Sequence, residues 1–161
     1  MSGIGKYLKE VNSDLQVICP DPYGSIFYEY WASQGRVVPP CGSFEVEGVG
    51  KDSIPDNLDC DLIDAMPRVR DKDAFAMCRR LSTAEGLLCG GSTGVNVHAA
   101  VELAKTLPDD EEFTIVCVAP DSGVKYLSKI YNDAWLTEKG LMPDQEDAEE
   151  DDCSTVSVVR E

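Results

Sequence analysis

A chain of 161 residues supplies one domain or a large part of one, with enough length to bury a sizeable core. Hydrophobic residues at 43% and charged residues at 27% match an ordinary soluble globular protein and exclude collagen, a wholly disordered chain and a membrane-spanning protein. The formal net charge of −16 repels phosphate backbones and argues against nucleic-acid partners; residues 144–161 alone hold −7 of it.

The chain opens on a predicted helix, with Ile4, Leu8 and Val11 at helical spacing and Lys6, Lys9 and Glu10 opposite. Residues 15–19 read as a buried strand, stopped by Pro20-Asp-Pro-Tyr-Gly24. Residues 25–43 are Gly/Pro-rich and predicted irregular, with Tyr28, Tyr30 and Trp31 as anchors. Residues 44–47 form a short extended segment before the Gly48-Val-Gly50 turn, and 62–69 have weak strand character. Residues 72–83 read as a helix through Phe75, Met77, Cys78 and Leu81. A short strand over 86–89, the turn Gly90-Gly-Ser-Thr-Gly94 and a helix over 95–107 follow. The continuous β-branched run 113–118 reads as the strongest strand, of the kind covered on both faces. Helices over 124–131 and 134–138 come next, and residues 143–161 read as a disordered acidic tail behind one domain over 1–142. This order predicts an α/β fold, a mainly parallel open sheet with helices on both faces. Strands 86–89 and 113–118 should be parallel neighbours joined by a right-handed crossover. Ser92 and Asp121 should then meet at their carboxyl ends.

Seven cysteines without a C-x-x-C and a single histidine do not make a zinc site, so no metal is expected. Buried reduced thiols and a cytoplasmic location suit this cysteine usage, and residues 1–9 lack the apolar core of a signal peptide.

Gly90-Gly-Ser-Thr-Gly94 fits G-x-S-x-G between a strand and a helix, the pattern of a nucleophile elbow. The only histidine, His98, lies six residues past Ser92 on the same helix, about 9 Å along its axis, and cannot take the serine proton. A Ser92–Asp121 dyad hydrolase is the surviving version of that reading. The same turn can instead offer free N–H groups and the positive end of a helix to a ligand. Its glycines then serve close ligand approach, or else only the turn's own dihedrals. Gly50-Lys51 is no P-loop, because Asp52 stands where Ser or Thr must hold magnesium.

Six segments in order carry a resemblance: Ser2-Gly-Ile-Gly-Lys-Tyr-Leu-Lys9, Asp21-Pro-Tyr-Gly-Ser25, Glu45-Val-Glu-Gly-Val-Gly50, Glu85-Gly-Leu-Leu-Cys-Gly-Gly-Ser-Thr-Gly94, Pro120-Asp-Ser122 and Asp133-Ala-Trp135. Residues 2–142 resemble the C-terminal half of the catalytic module in the cystathionine β-synthase and cysteine synthase family, the fold-type-II pyridoxal-phosphate enzymes. The resemblance implies pyridoxal 5'-phosphate as cofactor and β-replacement on L-serine by homocysteine, the chemistry of cysteine biosynthesis and transsulfuration. It implies Ser92 at the pyridine nitrogen, with Pro120 and Asp121 near that edge of the ring. It places Gly48 and Gly50 in the loop bordering cofactor and substrate, and Glu47 on the substrate side. It also implies a Schiff-base lysine and a Gly-Thr-Gly-Gly-Thr phosphate loop, and these 161 residues contain neither motif. Lys51 replaces the family's usual tyrosine after the loop. The expectation is a chain without a catalytic lysine, inactive alone, or a non-catalytic homologue acting as a binding subunit. Val17, Leu87, Leu88, Ile115 and Val116 should lose cover, driving aggregation or dimerisation.

Overall fold

A computed structural model describes residues 1–143, so the tail expected beyond Pro143 lies outside the described residues. Helix α1 (Ser2–Val11) leads to strand β1 (Asp21–Pro22), helix α2 (Phe27–Ala32), strand β2 (Arg68–Val69) and helices α3 (Asp71–Ala84), α4 (Gly91–Ala104) and α5 (Asp133–Lys139). The class is α/β with parallel pairing. Asp21 pairs with Arg68 and Pro22 with Val69, and a parallel bridge from Ile18 to Ala65 extends the ladder backwards. The N–H groups of Cys19, Asp21 and Tyr23 donate to the carbonyls of Ala65, Pro67 and Val69 at 2.9, 2.9 and 3.1 Å. Pro20 and Pro22 fill the alternate positions, whose N–H would face away from β2. The outer edge therefore has no donors there, a common way for a sheet to end.

α3 and α4 form the main packing pair. Asp71 and Asp73 in the first turn of α3 suit the positive end of its dipole. The two helices approach so closely that a Cβ on Gly94 would lie 2.1 Å from the Ala74 carbonyl oxygen. Around them Val46, Val69, Phe75, Cys78, Cys89, Val95, Ile130 and Leu136 close the core. The Phe75 and Trp135 rings sit 6.0 Å apart and dock α5 on α3. Asn132 caps α5 by accepting from the N–H groups of Ala134 and Trp135, and Gly140 ends it at φ 67°.

Three expectations are corrected. Residues 113–118 are exposed and form no strand, and 86–89 do not run parallel to them. The backbone of the intended partner is already engaged. The Tyr131 hydroxyl accepts from the Cys89 N–H at 3.1 Å and donates to the Cys89 carbonyl at 2.6 Å, while Gly123 N–H donates to the Leu88 carbonyl. Cys89 instead bridges Ser122 antiparallel. The helix expected over 124–131 is a 3-10 turn, Gly123–Tyr126, followed by further turns. Within the segment read as irregular, 27–32 is helical, fixed by the Trp31 Nε1–H bond to the Ile63 carbonyl at 3.2 Å. Among the described residues no helix is long and apolar enough to cross a membrane.

Candidate functional site

The glycine turn and the loop before Gly50 meet in the core. Val46 is buried, and a Cβ on Gly91 would lie 3.2 Å from its Cγ1, so the chain leaves Val46 for Glu47–Gly50 against the start of α4. The Asp71 carboxylate fixes that departure by accepting from the N–H groups of Glu45 at 2.6 Å and Val46 at 3.2 Å. Burial pushes the Asp71 carboxyl up, and these two N–H bonds act against the rise. Two ion pairs tie the same segment to the C-terminal part: Lys139 to Glu45 at 2.7 Å and Lys129 to Glu47.

On the other side of the turn stands Asp121. Gly90 N–H donates to its carbonyl at 3.1 Å. Its Oδ2 accepts from Tyr126 at 3.0 Å and Lys125 at 3.2 Å, while its Oδ1 is buried with no hydrogen bond. A Cβ on Gly90 would fall 2.0 Å from that Oδ1. Burial and the Asp121 carboxylate together raise the Tyr126 phenol above its ordinary range.

These contacts match neither reading of the glycines: none of Gly90, Gly91 and Gly94 takes a positive φ, and an added Cβ there would meet Asp121, Val46 and Ala74, so their small size serves protein packing. Ser92 and Gly48 differ from these positions. Ser92 is 5% exposed and its hydroxyl makes no hydrogen bond among the described residues. Gly48 takes φ 85° with nothing within 4 Å of where its Cβ would be. Gly50, at φ 70°, is closed off by Pro22 and Phe44. Gly48 and Gly50 line a cavity of about 190 Å³ with Cys19, Asp21, Phe27 and Lys51. A larger cavity of about 680 Å³, beside Tyr30, Trp31 and Asp59, contains none of these site residues.

The Ser92–Asp121 dyad is not formed. Asp121 spends its accessible oxygen on Tyr126 and Lys125, and no hydrogen bond joins it to Ser92 among the described residues. Asp121 is joined to Gly90, two residues before Ser92, by a backbone hydrogen bond and not through paired strands. Glu47 faces Lys129 on the surface. Asp71 and Tyr131 organise the site without being read from the sequence. Asp71 directly before a helical stripe was a visible helix-start signal; nothing in the sequence marked Tyr131.

Residues 1–121 match the family model described as pyridoxal-phosphate dependent enzyme. The chain belongs to that family. It is 39% identical to the cystathionine beta-synthase of Apis mellifera over 142 residues, 88% of this chain and 27% of that protein. With the Saccharomyces cerevisiae cystathionine beta-synthase it shares 38% over 145 residues, 89% of this chain and 28% of that one. Cysteine synthase 1 of Neurospora crassa is 34% identical over 144 residues, 88% of this chain and 38% of that protein. The O-acetylserine dependent cystathionine beta-synthase of Helicobacter pylori superposes at a TM-score of 0.65 with 34% identity, covering 81% of this chain and 40% of that structure. The chain thus spans about a quarter of the curated cystathionine beta-synthases it matches.

The family's cofactor fits one edge of the site. An unpartnered, nearly buried serine hydroxyl at a helix start suits a neutral pyridine nitrogen.

Proposed function

We propose that this chain frames the pyridine-nitrogen side of a pyridoxal-phosphate site for cystathionine β-synthase-type β-replacement. In that reaction the Cβ–O bond of L-serine breaks, a Cβ–S bond to homocysteine forms and water leaves. The bound cofactor supplies an electron sink for the substrate α-carbon. The nearly buried Ser92 hydroxyl without a hydrogen bond, on the turn whose Gly91 packs on Val46 and whose Gly90 packs on Asp121, is the observation that carries the reading. Ser92 meets the ring nitrogen without protonating it, which limits electron withdrawal into the ring and favours elimination over competing chemistry. Pro120 and Asp121 back that edge through Gly90, Gly48 and Gly50 shape the bordering loop, and Glu47 stands on the substrate side, steadied by Lys129.

The same residues support inactivity of the chain alone. Lys125 and Lys129, the lysines that reach these side chains, are tied to Asp121 and Glu47, and none of the eight lysines stands in the family's Schiff-base motif. Incubating the purified chain with pyridoxal phosphate, L-serine and homocysteine tests this, with no cystathionine as the expected result. Ser92→Ala in any assembly that does bind the cofactor should weaken binding about tenfold, the worth of one hydrogen bond.

A second reading, a non-catalytic binding subunit, is favoured by one observation. Leu87, Phe113, Ile115, Val116 and Val118 are exposed together with Leu88, an apolar surface suited to another protein or a second copy of the chain.

A further inference from the structure

Helix α1 is mounted with its polar face inward. Gly5 is its one buried residue, with Val17 and Leu62 within 3.6 Å of where a Cβ would stand. On the same side the Ser2 hydroxyl accepts from the Asp59 N–H at 3.0 Å, and Lys9 pairs with Asp64 at 2.7 Å. Positions 2, 5 and 9 share one helix face. The opposite face carries Ile4, Tyr7, Leu8 and Val11 at i, i+3, i+4 and i+7, and all four are exposed, from 37% at Leu8 to 70% at Val11. Four large apolar side chains turned to water in one stripe mark a contact surface. One flank of the stripe carries Lys6 and Glu10, and neither forms an ion pair among the described residues.

We propose that this face of α1 docks on the same face of a second copy of the chain, as an antiparallel helix pair about a two-fold axis. An axis passing between residues 7 and 8 sets Ile4 opposite the partner's Val11 and Tyr7 opposite the partner's Leu8, so the stripe covers itself. In an antiparallel pair each flank meets the same flank of the other helix. Lys6 therefore meets the partner's Glu10, and Glu10 the partner's Lys6. A parallel pair would set them against the other flank, where Met1 and Asn12 carry no side-chain charge. The net charge of −16 opposes contact between copies in general, whereas α1 holds two lysines and one acid. Its ten residues make a helix about 15 Å long, too short to reach the roughly 800 Å² per partner of a standard interface, so the dimer is weak and reversible. This face shares no residue with the exposed apolar group at 87–88 and 113–118, and the inference does not depend on cofactor binding.

Sedimentation equilibrium of the full wild-type chain, of Lys6→Glu and Glu10→Lys alone, and of the two variants mixed provides the test. Both positions are exposed, so the variants keep the fold, which circular dichroism checks. Lys6→Glu leaves two acids on the flank and Glu10→Lys leaves two lysines. Each variant alone should associate about tenfold more weakly than the wild type, because two pairs worth up to about fivefold each give way to like charges. Mixed in equal amounts, the variants form both pairs again across the axis. The mixture should recover the wild-type constant to within about twofold, and lose that recovery at about 1 M salt. Association through residues 113–118 is indifferent to charge at positions 6 and 10. Equal constants for all three chains, or a mixture no tighter than either variant alone, would therefore overturn the proposal. A wild-type chain monomeric up to millimolar concentration would overturn it too, and leave the face to a different protein.

Discussion

Gly90, Gly94 and Gly48 look alike in the sequence and do different work. Gly94 separates α3 from α4, so Gly94→Ala should destabilise by about 1–3 kcal/mol or more, because backbone at Ala74 must move. Gly48→Ala meets no atom but must hold φ 85°, and should cost about 1–2 kcal/mol. Urea denaturation of the three proteins distinguishes these values; equal losses would show that the turn does not depend on the α3–α4 approach. Asp21 gives a pH-linked prediction at the same scale. It is 1% exposed, and burial raises its carboxyl above the ordinary 3.8, against the bonds from Ser25 and the Tyr28 N–H. A carboxyl raised on folding contributes stability fully below its unfolded value and loses it as pH climbs through the folded one. Asp21→Asn keeps an oxygen for the Tyr28 N–H and removes the charge. The melting temperature of the wild-type chain should therefore fall more than that of Asp21→Asn as pH rises above 3.8, in parallel thermal scans. Identical pH profiles would contradict the burial argument.

Elements with their own periodicity were legible in the sequence, and those that depend on partners were not. The apolar stripe Phe75, Cys78 and Leu81 marks α3, and α1, α4 and α5 follow from the same spacing, to within a few residues. The run 113–118 has the composition of a buried strand, yet pairing is a property of two segments. Tyr131 occupies the backbone of the segment expected beside it. The α2 helix failed for the opposite reason: six residues among Gly and Pro show no period, and the Trp31 bond to Ile63 fixes them from a distance. Of the site, the turn, the Gly48–Gly50 loop and Pro120–Asp121 were readable as motifs, while Asp71 and Tyr131, which lock them, act across long sequence separations. Hydrogen exchange tests the corrected element. The amides of 113–118, which have no backbone acceptor among the described residues, should exchange fast, whereas those of Cys19 and Asp21 are protected by the carbonyls of Ala65 and Pro67. Protection over 113–118 equal to that of Cys19 would restore the strand.

At the scale of the molecule, the expectation of lost cover is met unevenly. Val17 is buried, with Gly5 of α1 and Leu62 packed around it, whereas Leu87 is 45% and Val116 84% exposed. Exposed apolar side chains include four of the run 113–118, Phe113, Ile115, Val116 and Val118, together with Leu87 and Leu88. Burying a side chain of this size is worth roughly 1.5–3 kcal/mol, so several left bare rival a net domain stability of about 5–15 kcal/mol. The purified chain should self-associate or aggregate through this surface. Sedimentation with a thermal melt checks it; a monomer melting cooperatively above about 60 °C would show a core closed without further cover. The most direct test of the proposed role is chemical. The full chain is incubated with pyridoxal phosphate, reduced with borohydride and mapped by mass spectrometry, with cystathionine formation from L-serine and homocysteine measured in parallel. The predicted result is no stoichiometric label on any one lysine and no cystathionine. One lysine labelled stoichiometrically, with Lys51 beside the Gly48–Gly50 loop as the first to mutate, together with cystathionine formation lost on its substitution, would contradict it.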